Sequence, residues 1–271
     1  MMSLILLPIS IVAGFIGSLL GLGGGIIIVP VLTLIFGVDI KYAVAASLVS
    51  TIATSSGAAA GFLKDHLTNL RLAIFLEVGT VFGAMTGFLL STYMKSSTLY
   101  LCFGGFLLFS AFMMLRQKKD PLAETNHPWA DKLALDSKFP DKGEWIHYKV
   151  ANVPFGLISM YFAGIFSALL GIGSGIFKIM AMDGAMKLPM KVSSATSSFM
   201  IGVTASASAG AYLIRGDIKP EIASPVALGI IIGAFIGAKV MPKLNASLLR
   251  RVFIVFMVLI AVQMIIKGIR G

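Results

Sequence analysis

Two glycine-rich clusters, each inside a long apolar run, constrain this chain more than any other feature. The first is Gly21–Gly25, with the letters GLGGG, and the second is Gly171–Gly175, with the letters GIGSG. They stand 150 residues apart. Each glycine destabilises a helix by about 1 kcal/mol relative to alanine, so neither cluster favours a continuous helix. We therefore predict that two helices are interrupted at these points.

The composition of the chain places both clusters inside a membrane. Of the 271 residues, 57% are hydrophobic and 13% are charged, whereas soluble domains have about 25% charged residues. The net charge of +10 does not point to nucleic acid, because the basic residues are scattered over short connections between apolar runs. Irregular backbone at membrane depth is tolerated where it is buried in protein or lines a cavity. We predict a polytopic protein of the lipid bilayer, with the two interruptions facing each other around a solute site.

The chain is also an internal duplication, because apolar segments and glycines of the first half recur in the second at the same offset. The apolar piece after each cluster, at roughly 11 residues, reaches only about 16 Å, which is half a membrane. Such duplications are frequent in secondary transporters. We predict an all-α fold of two repeats, 1–115 and 150–271, joined by a loop, 116–149. Each repeat is expected to hold three spanning helices plus a broken or re-entrant helical pair at its glycine-rich motif.

The distribution of lysine and arginine favours inverted repeats. With an odd number of crossings per half and a cytoplasmic central loop, fifteen basic residues lie inside and six outside. An even number of crossings gives thirteen and eight. Because cytoplasmic loops carry the excess of basic residues, we predict a multi-pass protein with inverted-topology repeats and both termini outside. Within the central loop, Pro128–Phe139 predicts a short amphipathic helix on the cytoplasmic face. A simple tether and a regulatory or partner-binding segment both remain open for the loop.

The glycine clusters are candidate anion sites. A helix that restarts at Gly25 or Gly175 exposes unpaired N–H groups and the positive end of its dipole, which bind anions without any side chain. The candidate binding positions are Gly23, Gly24, Gly25, Gly173, Ser174 and Gly175. The alternative is close helix packing through small residues. A nucleotide site is not indicated, because the remaining spacing, the downstream acid and the βαβ pattern of that fingerprint are missing.

Hydroxyl side chains line the helices that follow each cluster. Ser47 and Thr54 lie two helical turns apart and share one face, and Ser197 and Thr204 repeat this pattern. Such faces can coordinate an oxyanion or a small cation, and the alternative is a packing face whose hydroxyls bond back to their own helix.

Two charged residues inside apolar segments are further candidates. Lys178 follows Gly175, where the first half has Ile28. A membrane-embedded lysine usually faces a cavity or a partner, so Lys178 is a candidate countercharge for an anion, with snorkelling to the interface as the alternative. Glu77 is a candidate coupling residue that carries a proton, and the alternative is a position near the membrane surface beside Arg71.

No catalytic constellation is present in the sequence. There is no nucleophile–base pair, no HExxH motif and no Cys/His spacing for a metal, and the chain has one cysteine, Cys102. We therefore expect no enzyme activity, no metal and no cofactor. The glycines at 79, 83 and 87, and their counterparts at 229, 233 and 237, predict close helix packing.

The sequence resembles the TauE/SafE family of sulfite exporters, also called the TSUP family. The resemblance rests on four segments and covers nearly the whole chain outside the central loop: Gly17–Pro30, Ala46–Leu48, Gly171–Lys178 and Pro189–Thr204. Ser174 and Met180 depart from the pattern of the first half, where Gly24 and Pro30 stand.

The resemblance implies a secondary transporter of small sulfur-containing anions, such as sulfite or organosulfonates like sulfoacetate, in the cell inner membrane. We expect alternating access between the two halves. A passive anion channel on the same scaffold is the alternative, and a membrane enzyme or assembly subunit is a third reading. A homo-oligomer is possible.

Overall fold

The computed structural model describes residues 2–19, 24–116, 122–141, 143–240 and 246–270. The first half contains α1 (Met2–Leu19), α2 (Gly25–Pro30), the π-helical turn π1 (Val31–Ile35), α3 (Ile40–Lys64), α4 (Leu70–Tyr93) and α5 (Ser96–Arg116). The connection contains α6 (Pro128–Lys132), β1 (Ser137–Asp141) and β2 (Glu144–Tyr148). The second half contains α7 (Val153–Leu170), α8 (Gly175–Met180), π2 (Ala181–Ala185), α9 (Met190–Arg215), α10 (Pro220–Val240) and α11 (Ala246–Arg270).

The predicted all-α membrane fold is confirmed. Seven helices within the described residues are long and apolar enough to cross a membrane: α3, α4, α5, α7, α9, α10 and α11. The apolar part of α1 found in the same ranges is shorter, Ile5–Gly17. A short connection after Lys64 turns α3 into α4, and the Asn69 side chain accepts a hydrogen bond from the Leu72 amide at the start of α4. This is a standard N-cap.

Helix interruption is confirmed at the second glycine-rich motif, whereas residues 21–23 of the first motif lie outside the described residues. In the second half α7 ends at Leu170 and α8 begins at Gly175. Gly171 and Gly173 adopt φ values of +68° and +66° between them, a region that glycine enters without steric cost. In the first half α1 ends at Leu19 and α2 begins at Gly25. The candidate residue Gly23 lies outside the described residues.

Each helix that restarts after an interruption is a half-membrane element, as the length of the apolar piece predicts. A six-residue α-helical turn continues into a five-residue π-helical turn in both halves. The π-helical geometry was not predicted from the sequence.

The two halves pack through matching pairs of helices. Helix α1 contacts α10, and its counterpart α7 contacts α4, while α3 contacts α9 and α5 contacts α11. Glycines allow the close approach, since a Cβ at Gly83 of α4 would lie 1.9 Å from the carbonyl oxygen of Tyr161 in α7. The predicted packing role of this glycine row is confirmed at Gly79, Gly83 and Gly87, which all meet α7 backbone or side chains.

Helices α5 and α11 run antiparallel. Gly104 near the middle of α5 lies against Ala261 and Ile265, while Gly268 near the end of α11 lies against Ser97 at the start of α5. Because α11 is the second-half counterpart of α5, opposite directions are what inverted repeats require. The inverted arrangement relative to the membrane stays a prediction.

The predicted helix over Pro128–Phe139 is wrong beyond Lys132. Residues Ser137–Asp141 form a strand that pairs antiparallel with β2, with Phe139 opposite Ile146. Pro140 disfavours helical backbone at the residue before it, which explains why the helix does not reach Phe139. Phe139 and Tyr148 join the same buried cluster as Leu72 and Leu76 of α4. Burial of these rings stabilises the hairpin against the end of the helical bundle.

Candidate functional site

The two glycine-rich breaks lie in contact with each other. A Cβ at Gly25, the first residue of α2, would lie 2.5 Å from the carbonyl oxygen of Gly171 and 3.2 Å from Cα of Ile172. The hydroxyl oxygen of Thr51 in α3 would lie 3.1 Å from the same Cβ. The start of α2 therefore touches the α7–α8 break, and only glycine fits at position 25.

Ser47 and Ser197 each lie beside the second break. The buried Ser47 hydroxyl is 2.7 Å from the Gly171 carbonyl oxygen and 2.8 Å from the Val44 carbonyl oxygen, and it donates to these acceptors. The Ser197 hydroxyl donates to the Gly175 carbonyl at 3.3 Å. These hydroxyls therefore hold the backbone of the break in place.

The Thr54 hydroxyl bonds to its own helix. It donates to the carbonyl oxygens of Ser50 and Thr51 at 3.2 Å and 3.1 Å. In this conformation the Thr54 hydroxyl bonds back to its own helix, as expected for a packing face and not for a ligand-binding face.

Ser174 presents a buried hydroxyl at the start of α8. Its backbone is left-handed, with φ +47°, and its side chain makes no capping bond. Its Oγ has no hydrogen-bond partner within the described residues, and the same is true of Ser167 at the end of α7. Buried hydroxyls without partners are uncommon in proteins. Among the described residues, Ser10, Thr68, Ser110 and Ser193 also have unpartnered buried hydroxyls, and Ser174 is the one that lies within a glycine-rich motif.

Gly24 immediately precedes α2, and its carbonyl accepts from the amides of Ile27 and Ile28 at 3.2 Å and 3.0 Å. In the second half the Ser174 carbonyl accepts from the Lys178 amide at 3.2 Å. The carbonyl before each restarting helix therefore accepts from its first turn, although Gly24 has right-handed backbone and Ser174 left-handed backbone.

Lys178 and Glu77 form an ion pair inside the bundle. The Lys178 Nζ lies 3.4 Å from the Glu77 Oε1, and the two side chains are 0% and 8% exposed. The Lys178 ammonium is therefore directed at Glu77 inside the bundle and is not exposed, and Glu77 pairs with Lys178.

Two threonines complete the cluster around this pair. The Lys178 ammonium donates to the Thr204 hydroxyl at 2.5 Å. The Thr204 oxygen lies 3.0 Å and 3.1 Å from the two carboxylate oxygens of Glu77, and the Thr80 hydroxyl donates to Oε2 at 2.7 Å. The four residues come from α8, α4 and α9, so the cluster joins the two halves.

Aromatic rings hold α8 on its other side. Phe177 stacks on Phe106 and Phe109 of α5 and on Phe166 of α7, with ring centroids 5.2–5.6 Å apart. Such pairs contribute about 0.5–1.5 kcal/mol beyond their area burial. The position of Lys178 is thus fixed by packing as well as by its ion pair.

The pairing of Glu77 with Lys178 was missed from the sequence. One signal was available: Glu77 and Lys178 are opposite charges inside apolar segments of different halves, and such charges need a partner. Within the residues that the structure describes, no three histidine, cysteine, aspartate or glutamate side chains lie close enough together to hold a metal ion.

A bundle of spanning helices whose two halves each contain a broken helix, meeting beside a buried charged cluster, is the architecture of a membrane transporter. The model of the family described as "Sulfite exporter TauE/SafE" matches residues 6–264. The chain therefore belongs to the TauE/SafE sulfite exporter family.

Two related proteins align with most of this chain. The "Probable membrane transporter protein YunE" of Bacillus subtilis (strain 168) is 28% identical over 98% of each chain. The "Probable membrane transporter protein MJ0441" of Methanocaldococcus jannaschii is 34% identical over 74% of this chain and 70% of its own length. No solved structure matches the chain at a significant level.

Proposed function

We propose that this protein is a secondary transporter of small sulfur-containing anions, such as sulfite or organosulfonates including sulfoacetate, and that it works by alternating access. The observation that carries the proposal is Lys178, a lysine that is 0% exposed inside the helical bundle and one turn after a helix break. A buried ammonium is costly in a membrane protein and marks a path for charged solutes.

The binding site that we propose lies where the two breaks meet. Backbone amides at Gly23–Gly25 and Gly173–Gly175 would bind the oxyanion, and the unpaired Ser174 hydroxyl and the Lys178 ammonium would add hydrogen bonds and charge. Thr204 bonds directly to Lys178, and Ser47 and Ser197 support the break from α3 and α9. Thr54 would contribute only if its hydroxyl left its own helix.

Alternating access would follow from movement of one half against the other. Glycines bring backbone into direct contact at the interfaces between α1 and α10 and between α4 and α7, which join the two halves. We propose that the protein lies in the cell inner membrane, with the 116–149 connection on the cytoplasmic side.

Transport into proteoliposomes tests the proposal. Purified protein should take up sulfite, sulfoacetate and methanesulfonate with saturation, while acetate and sulfate serve as comparison anions. Flux that rises linearly with concentration, or single-channel currents, would instead support a passive anion channel. Absence of any protein-dependent flux of these sulfur anions would reject the proposed function.

Lys178→Gln provides the matching residue test. Loss of a hydrogen bond to a charged group costs about 1.5–3 kcal/mol, so the apparent affinity for sulfoacetate should fall about tenfold to a hundredfold. Lys191→Gln is the control, because Lys191 is exposed and binds Asp141 at the surface, at 2.6 Å. Equal effects of the two substitutions would contradict the assignment of Lys178 to the site.

A further inference from the structure

The ion pair between Glu77 and Lys178 has no counterpart in the other repeat. The positions equivalent to these residues, at the offset of 150, are Ala227 and Ile28. Ile28 is fully buried in its own half-helix. The fold therefore packs the equivalent positions without charges, and architecture alone does not require the pair.

Keeping two charges away from water is energetically costly. The effective penalty is several kcal/mol for each ion, and apolar residues of similar volume often replace such a pair without loss of stability. Ionisable residues inside membrane segments mark ion pathways and proton relays. The pair is thus better explained by a function than by stability.

The direct contact is the weakest bond in the cluster. The ammonium lies 3.4 Å from the carboxylate, whereas strong bonds of this type are about 2.7–2.9 Å long. The Thr204 hydroxyl lies 2.5 Å from the ammonium, and Thr80 and Thr204 both lie within 3.1 Å of the carboxylate. If the contact between the Lys178 ammonium and the Glu77 carboxylate breaks, each charged group still has a threonine hydroxyl as a hydrogen-bond partner. The ion pair can therefore open without leaving either group unbonded.

We infer that Glu77 is the proton-binding residue of a proton–anion symporter, in which Lys178 pairs with Glu77 in the empty site and with the substrate anion in the loaded site. This inference rests on the proposed function. In the empty site the positive lysine and the negative glutamate balance. In the loaded site the anion balances the lysine, and a proton on the Glu77 carboxyl keeps the total charge at zero.

The charge balance fixes the stoichiometry. One proton moves with one monovalent anion, and the cycle moves no net charge across the membrane. Proton binding and anion binding then favour each other. A proton on Glu77 frees Lys178 for the anion, and an anion on Lys178 frees Glu77 for the proton.

Other titratable groups near the cluster are few. Helix α4 carries Arg71, whose guanidinium donates to the Ala134 carbonyl at the membrane end, and π2 carries Asp183. Helix α7 carries Tyr161, whose hydroxyl donates to Thr86. On α9 the charged residues are Lys191 and Arg215, at its two ends, where they pair with Asp141 and Asp217. The carboxylate of Glu77 contacts Lys178 directly.

Proton uptake on binding tests the inference in the wild-type protein. Methanesulfonate is the probe, because a sulfonic acid is fully ionised and cannot carry the proton itself. Addition of saturating methanesulfonate to detergent-solubilised protein in weak buffer should raise the pH by the amount expected for one proton taken up per anion bound. Binding with no proton uptake would overturn the inference and leave the proposed function intact.

Driven transport gives an independent measurement. With acid outside proteoliposomes, methanesulfonate should accumulate about tenfold for a gradient of one pH unit, the ratio set by one proton per anion. A potassium diffusion potential set with valinomycin should not change this ratio. Saturable uptake that does not depend on the pH gradient, or that changes with the membrane potential, would contradict the inference. Absence of saturable uptake at any pH would instead count against the proposed function.

Glu77→Gln mimics the protonated carboxyl and isolates the residue. Methanesulfonate should bind this variant without proton uptake, and its affinity should lose the pH dependence of the wild type. Glu144→Gln, at an exposed carboxylate on β2, is the control and should keep one proton per anion. If Glu77→Gln fails to fold, Glu77→Asp keeps a carboxyl and Lys178, and it should shift the pH range over which methanesulfonate binding takes up a proton. Proton uptake that persists in Glu77→Gln, or an unchanged pH profile in Glu77→Asp, would exclude Glu77 as the proton site.

Discussion

Lys178 and Glu77 depend on each other for stability, because neither charge is compensated by water. Removal of one partner from a buried ion pair costs about 3–5 kcal/mol, whereas removal of both is often neutral. Lys178→Met and Glu77→Leu should each lower the thermal unfolding midpoint in detergent, and the double variant should recover most of the loss. The threonines stay bonded in the double variant, since Thr204 also donates to the Met200 carbonyl and Thr80 to the Glu77 carbonyl.

The size of the recovery distinguishes pairing from independent packing. If the two single losses simply add in the double variant, the residues are not energetically coupled, and the contact at 3.4 Å contributes nothing. A comparison pair at the surface, Lys191→Met and Asp141→Leu, should show small single effects because surface ion pairs contribute about 0–1 kcal/mol.

The glycine motifs and the Ser/Thr faces could be predicted from the sequence, because their spacing is local. The contact between Glu77 and Lys178 could not, because it joins residues from different halves and breaks the repeat that revealed the other positions. The unpaired hydroxyl of Ser174 was a candidate by position alone, and its left-handed backbone became visible only in the structure.

Between elements, the α4–α7 contact depends on the absence of side chains at the crossing. A Cβ at Gly83 would lie 1.9 Å from the Tyr161 carbonyl oxygen, and one at Gly164 would lie 2.1 Å from the Thr80 carbonyl oxygen. Overpacking of this kind costs about 1–3 kcal/mol, and backbone cannot move aside as a flexible side chain can.

Gly83→Ala should therefore lower the thermal unfolding midpoint in detergent. Gly105→Ala is the matched control, since it lies on the exposed face of α5 with nothing within 4 Å of its Cβ. Alanine favours a helix over glycine by about 1 kcal/mol, so the control should be neutral or slightly stabilised. A Gly83→Ala protein as stable as the wild type would show that α4 and α7 are not held at this distance.

The elements of the central connection illustrate where sequence patterns fail. The 128–139 segment has helical periodicity, yet tertiary contacts decide its structure from Ser137 onwards. Asn69, at the α3–α4 turn, donates to the Leu135 carbonyl at 2.7 Å and to the Tyr148 hydroxyl at 2.9 Å. Burial raises the pKa of Tyr148 to about 12, so this hydroxyl stays protonated. The connection is therefore docked on the bundle, which a simple tether does not require.

At the scale of the whole molecule, two sets of contacts define opposite ends of the bundle. Asn69 joins the α3–α4 turn to the central connection at one end. At the other end Arg215, the last residue of α9, donates to the hydroxyls of Ser91 and Thr92 near the end of α4. The α3–α4 and α9–α10 connections are counterparts in the duplication, and they lie at opposite ends. This placement supports inverted repeats more directly than the counts of basic residues do.

Thiol labelling tests which end faces the cytoplasm. In a Cys102→Ser background, Lys64→Cys places a thiol at the exposed end of α3, and Lys219→Cys places one in the exposed α9–α10 connection. A membrane-impermeant maleimide should label position 219 on intact cells and position 64 only after permeabilisation, because basic connections are retained on the cytoplasmic side. Labelling of both positions from the same side would contradict inverted repeats. The reverse pattern would be consistent with inverted repeats but would place the β1–β2 hairpin outside. The experiment therefore tests the inverted topology, inferred from helix contacts, separately from the orientation, inferred from charge.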